Sequence, residues 1–164
     1  NQTSLLRRWR QWQERFDPNV KDGDGNPVWS YAEFSKNSLR KFIRIFGEKI
    51  DPMLTNKKGY PMWCFTCCEE ENLELLLRAS GKRFDPNWRD AGGAYIWDRR
   101  ACTARNLEIL LESCGEKIDP HLSNHGGYET WRYVVRDELS MKLFLEKCGE
   151  RFDVNSVDVN GNPW

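Results

Sequence analysis

Residues 17–50 read DPNVKDGDGNPVWSYAEFSKNSLRKFIRIFGEKI, and the same layout opens again at Asp51, Asp85, Asp119 and Asp153. The step is 34 residues, with no insertion or deletion. Gly25, Gly59, Gly93, Gly127 and Gly161 keep it, as do Trp29, Trp63, Trp97 and Trp131. A fixed period of this length marks a chain built from supersecondary units that bury their apolar faces by stacking. Such chains are quasi-one-dimensional, and their usual product is an extended binding surface.

The period divides the 164 residues into one array. Full repeats are expected at 17–50, 51–84, 85–118 and 119–152. Residues 1–16 read as the end of an incomplete repeat, because Leu5, Trp9 and Phe16 fall in phase with Leu39, Ile43 and Ile50. Residues 153–164 read as the start of a further repeat. Since the chain opens on Asn and stops inside a unit, it is expected to be a processed or partial product of a protein that either extends in both directions or is trimmed at both ends.

The second half of each unit carries a helical pattern. Leu73, Leu76, Leu77 and Phe84 in one copy, and Leu107, Leu110, Leu111 and Ile118 in the next, fall on one face at i, i+3, i+4 and i+11. Asn37, Asn72, Asn106 and Ser140 lie near the helix starts, where their side chains are expected to cap orphan backbone donors. Gly47, Gly81, Gly115 and Gly149 lie near the ends, where a left-handed residue commonly stops a helix. Asp-Pro at 51, 85 and 119 forbids continuation. From each Asp to the following Gly the chain is rich in Asn, Asp, Gly and Lys, which make tight turns and tolerate positive φ. A shorter helix is predicted from the Trp, reaching about Lys36 in the first full copy. Each unit is then loop, short helix, tight turn, longer helix, and the fold class is all-α.

Residues 19–32, NVKDGDGNPVWSYA, resemble the turn and first helix of the ankyrin repeat, whose pattern is N-x-x-D-x-x-G-x-T-P-L-H-x-A. Leu73 to Leu77 and Leu107 to Leu111 resemble its second helix. The resemblance spans nearly the whole chain but is degenerate. Thr-Pro-Leu-His has become Asn-Pro-Val-Trp and Tyr-Pro-Met-Trp, and the later copies read Ala94-Tyr95-Ile96-Trp97 and Tyr128-Glu129-Thr130-Trp131. The unit is also one residue longer than the family's ~33. The resemblance implies a helix-turn-helix solenoid with hairpin-like loops. Trp in the histidine column has one donor and no acceptor, so an apolar ladder between units is expected there. Ile50, Phe84, Ile118 and Phe152 are expected to tuck under the helix pair. A tetratricopeptide array shares the period, but its two helices are of similar length and joined by short turns, unlike the long polar loop here.

Composition narrows the function. There are 25 basic and 25 acidic residues, and this balance argues against a nucleic-acid footprint. No apolar run approaches the ~20 residues of a transmembrane segment. Asp22, Asp24, Asn26 and Glu33 match oxygen positions of a calcium loop, but Pro27 stands where its turn needs glycine, and no other copy repeats the set. Cys64, Cys67 and Cys68 are near enough on a helix for metal ligation, with Cys102 one period beyond Cys68; no second such pair exists, and His121 and His125 lie in a loop elsewhere. Cys114 and Cys148, also one period apart, would stand about 8–10 Å from each other in stacked helices, beyond disulfide reach. Unpaired cysteines point to an intracellular, reducing compartment, the cytoplasm or an organelle interior. No nucleophile elbow, Gly-rich phosphate loop or His–carboxylate constellation appears, and nothing in the spacing pairs a Cys with a His, so neither catalytic residues, nor metal, nor cofactor is expected.

Positions that hold a stack repeat, and positions that read a partner vary. The resemblance implies that loop tips and the exposed side of the short helix line a groove. Lys58, Tyr60, Arg99, Tyr128, Arg132 and Tyr133 are the contact candidates there, Tyr and Arg being enriched in interface hot spots. Trp9, Trp12 and Trp164 at the ends are second candidates for docking on protein. The expected function is a non-catalytic protein–protein interaction scaffold, a subunit or segment of a larger assembly. The alternative is a regulatory or targeting region of a longer, enzyme-containing protein.

Overall fold

A computed structural model describes residues 8, 11–31, 36–66, 69–98, 102–134, 137–153, 155–157 and 160–163. The described chain is α-helical, with no β-strand beyond isolated bridges in the loops. Four helices of 11 residues recur one period apart: α1 (Lys36–Phe46), α3 (Glu70–Ser80), α4 (Ala104–Cys114) and α6 (Glu138–Cys148). Two four-residue helices, α2 (Trp63–Thr66) and α5 (Trp131–Val134), follow the loops of the second and fourth units. In the first and third units the same position holds only a 3-10 turn, Val28–Ser30 or Ile96–Asp98. The helix predicted from Trp29 to Lys36 is therefore not formed as such. The chain is extended at Tyr31, residues 32–35 lie outside the described ones, and Lys36 already opens α1.

The long helices pack in sequence order, α1 on α3, α3 on α4 and α4 on α6. Their apolar face is the core. Leu73, Leu76, Leu77, Leu107, Leu110 and Leu111 are buried, and so are Ile50, Phe84, Ile118 and Phe152. Among the described residues, no helix is long and apolar enough to cross a membrane.

The repeated aspartate makes the same turn in every copy. The Oδ1 atoms of Asp17, Asp51, Asp85, Asp119 and Asp153 each accept from the amide two residues on, at 2.9–3.0 Å. A short acidic or amide side chain mimics a backbone turn here. A second such turn closes the loop. Asp22, Asn56, Asp90 and Asn124 accept through Oδ1 from the amides two and four residues on, at 2.8–3.0 Å. The repeated glycine follows at φ between 76° and 82°, a conformation L side chains resist. Loop tips then meet from unit to unit. The Cα of Gly59 faces Ala91, whose amide donates to the Gly59 carbonyl at 3.2 Å, and Gly93 faces His125.

The four expected caps have different roles. Asn72, Asn106 and Ser140 are wholly buried inside the first helical turn. The caps are Thr103, accepting from the Asn106 amide at 3.1 Å, and Asp137, accepting from that of Ser140 at 2.8 Å. Asn37 is exposed on α1 and belongs to another column, since Ser38 is in phase with Asn72. The glycines at the helix ends are not left-handed caps either. Gly115 and Gly149 continue into 3-10 turns at φ −56° and −55°, and only Gly81 has positive φ. Close approach explains two of the four. A Cβ on Gly47 would lie 2.5 Å from the Ala79 Cβ, and one on Gly115 would lie 2.8 Å from the Lys147 Cβ.

A column of basic residues ties each unit to the one before. Lys49 Nζ donates to the carbonyls of Gln13 and Glu14 at 2.9 and 3.0 Å. Arg83 donates to those of Ile50 and Gly47 at 2.5 and 3.3 Å. Lys117 reaches Lys82 and Phe84 at 3.1 and 3.4 Å, and Arg151 reaches Ile118 and Gly115 at 2.7 and 3.1 Å. Positive charge at a helix C-terminus satisfies orphan carbonyls and opposes the dipole. Arg151→Met is expected to destabilise the protein by about 1–2 kcal/mol, since these charge-assisted bonds are part-exposed. Arg151→Lys should recover part of that loss. Urea unfolding followed by far-UV circular dichroism measures both, and equal stability of Arg151→Met and wild type would refute the clamp.

Candidate functional site: a groove along the loop tips

The site lies where the polar loops meet the short helices. A groove of about 450 Å³ probes the outer side of α1 and α3 near Gly47, whereas one of about 440 Å³ opens between the first two loop tips. The second holds contact candidates. It is lined by Asn26, Asn56, Lys57, Lys58 and Tyr60 from the tips, and by Ser30, Tyr31 and Phe65 from the segments after the two tryptophans. Tyr31 and Phe65 are large aromatic side chains left nearly half exposed.

The sequence places each wall rigidly. Trp29 is buried, and its ring packs on Phe65 of the next unit at 5.7 Å, so Phe65 has a fixed base and an open outer face. Asn56 holds the amides of Lys58 and Tyr60 in the loop-closing turn. Asn26 accepts from the Lys57 amide at 3.2 Å and fixes one tip against the other. Lys57 and Lys58 then extend from a rigid turn as exposed cations. At two of the three junctions the tryptophan thus packs on the aromatic two residues beyond the next Trp, since Trp97 likewise packs on Tyr133, at 5.3 Å; between them that position is Arg99, so this column makes no continuous aromatic ladder.

Two units further on, Tyr128 is exposed and the Arg132 guanidinium stands 4.8 Å from its ring centroid. The side chains thus pre-order each other. Tyr133 does not join them. Its ring lies on Trp97 and its hydroxyl accepts from Asn124 Nδ2, so it braces the loop against the short helix. Arg99 lies outside the described residues, as do Trp9 and Trp164. Trp12 is half exposed while stacking on Phe16 at 4.9 Å. Tyr31, Phe65 and Lys57 enter the site without having been contact candidates. The first two stood in the variable column after the Trp, and Lys57 stood in a loop tip.

The third loop is built differently. Arg89 donates to the Tyr95 hydroxyl at 2.5 Å and to the Ser123 carbonyl at 2.6 Å, and stacks over the Tyr95 ring at 4.8 Å. Tyr95 is buried against Trp97, with ring centroids 4.6 Å apart. It fills the space that Pro27 and Pro61 occupy in the first two loops.

Alternative chemistries find little geometry. Asp22 Oδ1 is engaged by the amides of Asp24 and Asn26, both at 2.9 Å, and Glu33 lies outside the described residues. Among the described residues no group of three or more His, Cys, Asp or Glu is placed to hold a metal ion; Cys67 and Cys68 lie outside them. Cys64, Cys102, Cys114 and Cys148, the described cysteines, are not joined in disulfides. Burial pushes the Cys114 thiol up to about 12 and raises that of Cys148, which disfavours the nucleophilic thiolate at both. His121 stacks on Phe152 at 5.9 Å, with Nε2 3.0 Å from the Arg151 carbonyl.

Compared with protein-family models, curated proteins and solved structures, the chain matches none.

Proposed function

We propose that the chain is an ankyrin-like solenoid acting as a non-catalytic protein–protein interaction scaffold, a segment of a larger assembly working in a reducing compartment. Its partner binds along the loop tips, with the groove between the first two units as the principal subsite. The observation that carries this reading is the aromatic wall of exposed Tyr31 and Phe65 and half-buried Tyr60 beside Lys57 and Lys58, the last three on a turn held from both sides. Rigid aromatic anchors beside a cationic rim are what recognition of a peptide segment demands, because little side-chain entropy is lost on binding. Tyr128 and Arg132 offer a second anchor two loop tips along.

Panning a random peptide library on the protein tests the groove. Selected peptides should lose about 1–3 kcal/mol of affinity, roughly 5–150-fold, on Phe65→Ser or Tyr60→Ala. The Tyr128→Ala/Arg132→Ala pair should weaken only peptides long enough to span two loop tips. Thermal midpoints should stay at the wild-type value. Binders indifferent to all of these variants would reject the loop-tip surface.

A further inference from the structure

The first four loop tips close with the same turn and differ in what they carry. Asp22, Asn56, Asp90 and Asn124 each hold it, but the two residues that follow are Gly-Asp, Lys-Lys, Ala-Gly and His-Gly. The turn therefore does not call for lysine at 57 or 58. Both lysines are exposed, and among the described residues no ion pair engages either. Both line the groove between the first two tips, and no carboxylate lines it with them. In the preceding tip Asp22 turns Oδ1 into its own loop, and Asp24 stands exposed outside the lining. The neutral lining has the same sense. Asn26 Oδ1 accepts from the Lys57 amide, and Asn56 Oδ1 from those of Lys58 and Tyr60. With their oxygens engaged in the turns, both carboxamides offer the groove their Nδ2 donors.

We infer that the occupant of this groove is an acidic peptide segment, with one aromatic or aliphatic side chain seated on Phe65 and Tyr31 and Asp or Glu within a few residues paired to Lys57 and Lys58. This rests on the groove being the binding surface. Cations and hydrogen-bond donors beside an apolar wall fit a ligand that brings carboxylates and one anchor. Charge at an exposed rim governs on-rate and choice of partner more than raw affinity, so it selects among peptides that the aromatic wall alone would hold alike. A single-stranded nucleic acid would need a basic track along its whole backbone. Here the cations are confined to one tip, since Asp22-Gly23-Asp24 precedes it and Asp90-Ala91-Gly92 follows it.

The test pans one random peptide library on the wild-type protein and on Lys57→Glu/Lys58→Glu. Wild type should select peptides rich in Asp and Glu around an apolar residue, and the charge-reversed protein should select basic ones. Wild-type peptides should bind Lys57→Glu/Lys58→Glu about tenfold more weakly or worse. They should also weaken as ionic strength rises from about 0.1 M to 1 M, where the screening length falls to ~3 Å. Thermal midpoints should agree, because Asn56 holds the backbone amides and not the lysine side chains. Peptides that weaken on Phe65→Ser but show no acidic excess and ignore Lys57→Glu/Lys58→Glu would overturn the inference and leave the groove standing. Peptides indifferent to Phe65→Ser and Tyr60→Ala as well would remove the groove, and the inference with it. Tighter binding of a single-stranded oligothymidylate than of any selected peptide, lost in Lys57→Glu/Lys58→Glu, would overturn it in favour of nucleic acid.

Discussion

Trp97→Ala is expected to lower the stability of the protein by about 3–5 kcal/mol, the range for emptying a buried aromatic site. Trp97 is almost wholly buried, stacks on Tyr95 in its own unit and packs on Tyr133 of the next. The deletion therefore removes the bearing of both rings. Because Tyr133 also accepts from Asn124, the loss should spread to the fourth loop and expose amides there. Urea unfolding gives the stability change, and hydrogen exchange at Asn124 to Tyr128 gives its direction. Trp97→Phe should lose less than half as much. A loss below 1 kcal/mol for Trp97→Ala would mean that the Trp column is not the bearing between units.

The same residues show what can be read from one dimension. Glycines at 25, 59, 93, 127 and 161 were legible as turn residues, because only a positive φ explains a glycine in every copy of a polar loop. The apolar face of the long helices was legible from spacing alone, and Leu73, Leu76 and Leu77 are buried as it required. In the column Gly47, Gly81, Gly115, Gly149, the first and third were misread because a helix-ending glycine and one that admits a neighbouring helix look alike until the neighbour's Ala79 or Lys147 is in place. Asn72 and Asn106 were misread as caps for a similar reason. Their residue type suits a cap, but the backbone starts the helix two residues earlier and buries them. The Lys/Arg column at 49, 83, 117 and 151 was in plain view but was passed over, since a charged residue near a helix end reads by default as solvated surface. Its carbonyl acceptors lie in the preceding unit, more than 30 positions back. In the groove, variability located Tyr60 and Lys58 but also named Tyr133, whose inward turn toward Asn124 depends on a contact nine positions away.

Gly59→Ala should be the most damaging single methyl group in the loops, because two separate effects meet there. The backbone sits at φ +79°, where an L side chain costs about 1–2 kcal/mol. The new Cβ would also stand 2.6 Å from the Cβ of Ala91 in the next tip, and overpacking of this kind adds about 1–3 kcal/mol. A total loss of about 2–5 kcal/mol is expected, read as the shift in a urea midpoint. Gly161→Ala shares the backbone strain, at φ +77°, but meets nothing within 4 Å, so it should show only the smaller term. The two effects can also be parted at one site. In Gly59→Ala/Ala91→Gly the colliding methyl is gone while φ is unchanged, so the double variant should recover the packing part and keep the backbone part. Full recovery would mean that the turn tolerates a side chain at positive φ. No recovery would mean that the tips of neighbouring units are not in contact, and with them would fall the rigid edge on which Lys57, Lys58 and Tyr60 are displayed.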